Sequence, residues 1–402
     1  MKYVKNILIY LLAILVILQC YSLLSMIVPN RYFYISINLL LIFLIFCELK
    51  IKRNLRIEML IIGYLSLVTL LFTSGFYRNF EFVLSIYLPF PLFLIFIMNS
   101  NNLEKFMEAF TNVVFMISAL SLVFFVLGSL LNIIQPTGYY PYTEIGWGTN
   151  NYRDFYHLYC EGQTVFALGY SGVRNIALFV EGPMLTYVIS FALYYELFFR
   201  RLGFRKIVIV TFIITVATSF STTGILIAIF LMYIKFYEIV KKSKVIKYLI
   251  IPIVICIVGY SLFWVVEDKF VSNVYSASAR ADDILASFKC FFSDIFNGVG
   301  YQNMEAIAPY RLFKRTGAGL STGLGAILAY GGVLWGFWYI TPFIIAIVNY
   351  IKKPKIRIKM AFIIMAFALL LVTVVHSRVL CTIINAICWY FILQKNFRKE
   401  VL

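Results

Sequence analysis

Long apolar runs separated by short polar breaks dominate this chain. A helix needs about 20 apolar residues to cross a hydrocarbon core of about 30 Å. On that pattern twelve membrane-spanning helices are expected, at roughly 7–28, 32–48, 57–74, 80–98, 110–134, 176–199, 206–219, 222–240, 247–265, 322–350, 358–375 and 379–394. The seventh run is short, with only eleven residues from Ile207 to Ala217 before Ser219-Phe220-Ser221-Thr222-Thr223-Gly224. At about 1.5 Å per residue it cannot cross the core, so this polar turn is expected to dip into the bilayer. Its hydroxyls would either satisfy the turn's own backbone or floor a water-filled cavity.

Composition and charge sharpen the picture. Of 402 residues, 62% are hydrophobic and 13% charged, which excludes an ordinary soluble domain. The reading is an all-α polytopic membrane protein, one integral membrane domain over 1–402, with no internal repeat. The first run follows Lys2 and Lys5 and has no small-residue cleavage site, so it is read as a retained helix rather than a signal peptide. The net charge is +17. With the amino terminus inside, 24 of the 35 Lys and Arg residues fall in short inner segments, which orients both termini to the cytoplasm. That asymmetry accounts for the basic balance without a nucleic-acid partner.

Two long segments then lie outside, about 135–175 and 267–321. The first crowds Tyr139, Tyr140, Tyr142, Trp147, Tyr152, Tyr156 and Tyr159 into a Gly- and Asn-rich stretch. Such rings suit a membrane interface, and they can also stack on sugars. In the second, Ala279 to Phe292 carries apolar residues at helical spacing and is expected to lie along the membrane surface. Cys160 and Cys290 fall one in each segment. A disulfide between them is one option, free thiols the commoner state.

The candidate chemistry gathers at these outer edges. Arg174 and Glu181 flank an apolar stretch that runs into Gly182-Pro183. Ionisable residues at the edge of a span are costly to keep and mark a candidate site. Either both lie on one face of a continuous helix, or Pro183 starts the helix, with Glu181 at its cap and Arg174 in the loop. Arg280, Arg311, Lys314, Arg315 and Arg378 are outer cations that run against the general charge bias, as expected of groups that grip an anion. His376 and His157 are the only histidines, and each could act as a general base. No HExxH, CxxC or GxxxxGK[ST] pattern is present, and Asp282-Asp283 lacks the spacing of a metal-holding DxD. No metal or cofactor is expected.

Arg174 through Glu181-Gly182-Pro183, the SFSTTG turn, GVGY at 298–301 and GAGLSTGLGAILAYGG at 317–332, within a twelve-span plan with two long outer loops, resemble the bacterial O-antigen and capsular polysaccharide polymerases, which form one superfamily with the O-antigen ligases. The motif resemblance covers roughly Tyr170 to Gly336, and many members have Ser-Arg where this turn has Ser-Thr-Thr. It implies a glycosyltransferase in the cytoplasmic (inner) membrane, with its site facing the periplasm or cell exterior. The implied substrates are oligosaccharide repeat units on undecaprenyl diphosphate. Membrane lipid and the flippase and chain-length regulator of the same pathway are the implied partners. On that resemblance Arg174, Arg280, Arg311, Arg315 and Arg378 are expected to bind the diphosphate. Glu181 or His376 is expected to orient or deprotonate the acceptor hydroxyl. The related ligase and a lipid-linked oligosaccharide transporter are the alternatives. A transporter would place ionisable groups near the bilayer midplane and often carries repeats, whereas these charges cluster at the outer edge.

Overall fold

The computed structural model describes residues 2–47, 54–73, 80–98, 102–145, 151–167, 170–242, 274–312, 319–352 and 358–394. It is predominantly helical. In chain order the longer helices are α1 (Lys2–Gln19), α2 (Asn30–Phe46), α3 (Leu55–Thr73), α4 (Phe80–Met98), α5 (Asn102–Leu130), α6 (Gly182–Tyr194), α7 (Lys206–Thr218), α8 (Thr222–Lys242), α9 (Val274–Ser293), α10 (Gly323–Lys352), α11 (Ile358–Val372) and α12 (Val379–Leu393). Among the described residues α4, α5 and α10 are long and apolar enough to cross a membrane. The run expected at 247–265 lies outside the described residues.

The span expected at 110–134 runs instead over Asn102–Leu130, and two other boundaries differ from the hydropathy reading for local reasons. The first run, expected unbroken over 7–28, stops at Gln19. Tyr21 takes a left-handed backbone at φ 58°, and Ser22 pairs with Phe179 as an isolated bridge before a one-turn helix at Leu23–Ile27. The run expected from 176 becomes helical only at Gly182, because residues 176–181 are extended or turned and Pro183 sits in the first helical turn.

The chain packs as two compact units, one of 1–20, 29–106 and 278–402, the other of 21–28 and 107–277. In the first unit α1 packs on α2, α2 and α12 on α4, and α10 on α3, α11 and α12. A π-helical turn at Val83–Tyr87 inside α4 organises this core. Leu88 N–H reaches back to Val83, and Pro89 has no N–H to give Ser85. The carbonyls this leaves are taken by side chains of other helices. Asn38 donates to Leu84 O at 2.8 Å, Thr382 to Ser85 O at 3.1 Å, and Tyr64 to Ile86 O at 3.0 Å.

Helix α10 is broken at Gly332, whose φ of 56° and ψ of −151° are not helical. The loop 295–300 fills the break. Val333 N–H donates to Ile295 O, while Val299 and Gly300 N–H donate to Ala329 O and Tyr330 O. A methyl group at Gly298 would lie 2.5 Å from Tyr330 backbone, and one at Gly332 would lie 2.4 Å from Phe296 O. The GVGY and YGG stretches are thus two halves of one backbone joint.

Helix α9 matches the helix expected over 279–292. Its buried side mixes Asp282, Asp283 and Ser287 with Ala286 and Cys290, and its exposed side mixes Ile284, Leu285 and Phe288 with Arg280 and Lys289.

In the second unit α8 packs on α6, and α7 on both. The aromatic segment expected as an outer loop holds strands: β1 (Gly138–Tyr140), β2 (Tyr152–Phe155) and β3 (Tyr159–Glu161) form one antiparallel sheet, and β4 (Thr164–Ala167) with β5 (Tyr170–Val173) form a second. The turn between β2 and β3 puts Tyr156 and His157 at φ 57°, with the His157 ring 2.7 Å from the buried Asp154 carboxylate. Cys160 and Cys290 are both free thiols.

Candidate functional site

The site in the second unit is set by a strand register. Thr164 pairs with Val173, which places Gln163 opposite Arg174, and Arg174 N–H donates to Gln163 O at 3.1 Å. The chain then turns under firm restraint. Asn175 N–H donates to Thr218 O at 3.0 Å, and its amide donates to Ser121 Oγ at 3.2 Å and Thr218 Oγ1 at 3.3 Å. Ala177 is left-handed at φ 51°. Val180 N–H donates to Tyr21 O, and Tyr152 donates its phenol to Val180 O at 3.1 Å. These bonds deliver Glu181 to the N-cap of α6 in an extended conformation.

The outcome is the second of the two geometries open from sequence: Glu181 caps the helix and Arg174 lies in the loop. Arg174 Nη2 donates to Gln163 Oε1, and the same oxygen accepts Gly182 N–H at 3.4 Å. A methyl group at Gly182 would stand 3.4 Å from the Arg174 guanidinium carbon and 3.0 Å from Ser219 O. The guanidinium therefore lies against the first residue of α6, where the helix dipole is positive. The Glu181 side chain makes no capping hydrogen bond. Burial pushes the Tyr152 phenol upward, with Cys160 and then Glu181 adding to the shift and Arg174 opposing it. Through its approach to Gly182, Arg174 lies next in space to the residue that follows Glu181.

The Ser/Thr turn closes the same corner. Only Ser219 to Ser221 interrupt the helices, and Phe220 is left-handed at φ 50°. Ser219 donates to Val216 O at 2.7 Å; Ser221 Oγ accepts Gly224 N–H at 3.4 Å and meets Thr186 Oγ1 at 3.0 Å. The Ser219 and Ser221 hydroxyls thus serve backbone groups and a neighbouring hydroxyl.

The other expected residues belong to the first unit. Arg280 is exposed nearly two turns into α9. Arg311, expected to face an anion, instead pairs with Asp283 at 3.1 Å and donates to Gly319 O at 2.9 Å, both side chains being buried. Asp282 ties down the next residue by accepting Leu312 N–H at 2.8 Å. Arg378, also expected to face an anion, caps α12 from the interior and donates to Asn30 Oδ1 at 2.9 Å. His376 lies beside it, against the rings of Tyr330 and Trp335. Burial, and then the Arg378 charge, hold His376 down to about 3, so the imidazole is neutral at physiological pH and weak as a base. Arg315 lies outside the described residues.

Gln163 is the residue that sequence reading misses. No motif marks it; only the β4–β5 register sets position 163 opposite 174. No family model matches the chain, and neither a curated protein nor a solved structure matches it.

Proposed function

We propose that this protein is a membrane-embedded glycosyltransferase that joins oligosaccharide repeat units carried on undecaprenyl diphosphate. In this reading twelve helices cross the cytoplasmic membrane, both termini are cytoplasmic, and the segments 135–175 and 267–321 face outward. A hydroxyl at the end of one repeat unit attacks the anomeric carbon of the growing chain, the bond to the diphosphate breaks, and the lipid diphosphate leaves. Arg174 grips that diphosphate and stabilises the charge that develops on it. Glu181 orients or deprotonates the attacking hydroxyl; His376, held far below neutrality, is the poorer base.

The observation that carries this reading is the Arg174 guanidinium held against the first residue of α6 with Glu181 at the cap. A cation, a positive helix end and a carboxylate in one corner suit departure of an anion beside a proton acceptor. The test is a deletion strain. Single repeat units at the cell surface support a polymerase. Long unattached polymer would point to a ligase, and repeat units trapped inside to a transporter.

A further inference from the structure

We infer that Gln163 is a positioning residue that holds the Arg174 guanidinium in place for a diphosphate-class anion. The inference rests on the reading of Arg174 given above. Arginine has several rotatable bonds, and ordering them costs entropy each time a ligand is gripped. Gln163 removes part of that cost beforehand. Its backbone is fixed opposite Arg174 by the strand register, and its Oε1 accepts from Arg174 Nη2 and Gly182 N–H together. One oxygen thus locks the guanidinium to the start of α6. The contrast with Arg311 gives the chemistry. Asp283 holds Arg311 with a carboxylate, which cancels its charge. Gln163 holds Arg174 with a neutral amide, which adds no counter-charge of its own.

The test uses the full chain in nanodiscs, with inorganic pyrophosphate as probe, measured by calorimetric titration at fixed salt. Gln163→Ala loses the hold; Gln163→Glu keeps the hold and adds a negative charge beside Arg174. Each should weaken binding on the order of 10-fold or more. In an Arg174→Ala background, Gln163→Ala should add less than about 2-fold, because it acts through Arg174. Wild-type affinity in the Gln163 variants, or equal weakening in both backgrounds, overturns the positioning role and leaves the Arg174 assignment standing. Wild-type affinity in Arg174→Ala, or no pyrophosphate binding by the unaltered protein, overturns that assignment and this inference with it. Melting without pyrophosphate reports folding, and Gln163→Met, which keeps the volume and loses the acceptor oxygen, serves should Gln163→Ala fail to fold.

Discussion

Arg311 and Asp283 lie 3.1 Å apart with side chains only 4% and 2% exposed. A buried pair of this kind is costly to break, because the surviving charge has no water to replace its partner. Asp283→Ala should therefore destabilise the protein by about 3–5 kcal/mol. Replacing both residues by apolar ones, as in Asp283→Leu with Arg311→Met, should recover most of that loss. Unfolding curves of the detergent-solubilised variants check this, and an Asp283→Ala protein as stable as the wild type would contradict it.

The backbone joint at Gly332 makes a second prediction. Its φ of 56° and the 2.4 Å approach to Phe296 O leave no place for a methyl group. Gly332→Ala should cost more than about 4 kcal/mol, among the largest single-residue effects. Gly203 also has a positive φ, but nothing lies near it, so Gly203→Ala should cost only about 1 kcal/mol. Thermal stability of the two variants side by side separates crowding from backbone strain.

His376 gives the fold a dependence on pH. An unfolded histidine titrates near 6.5, whereas this one is held to about 3. Between those values the unfolded chain binds a proton that the folded chain refuses. Stability contributed by this group is therefore constant above about pH 6.5 and falls as the pH drops toward 3. By pH 5 the loss should reach about 2 kcal/mol. Comparing unfolding at pH 7 and pH 5 in the wild type and in His376→Asn isolates it. The variant should show the smaller change, and an equal change in both would contradict the assignment.

Much of the helical scaffold was legible in the apolar runs, because a span must be continuous and greasy whatever its neighbours. What could not be read were places where backbone geometry overrides hydropathy. Tyr21 ends α1 by turning left-handed inside an apolar run, and Gly332 breaks α10 without any polar signal. The strands of 138–173 were hidden because their tyrosines also fit a membrane interface, and the β2–β3 turn uses Tyr156 and His157 instead of the Asn-Gly that normally marks such a turn. Arg174 and Glu181 stood out by charge alone. Gln163 did not, since its importance comes from a partner eleven residues away across a hairpin. The roles expected of Arg311 and Arg378 followed from counting outer cations, and counting cannot show that Asp283 or Asn30 already engages one.

The most direct measurement is a ladder assay with purified protein and lipid-linked repeat units. The wild type should build a ladder of polymer without added nucleotide sugar, and Arg174→Ala should fold, remain in the membrane and yield single units only. A ladder of normal length from Arg174→Ala would contradict the account at its centre.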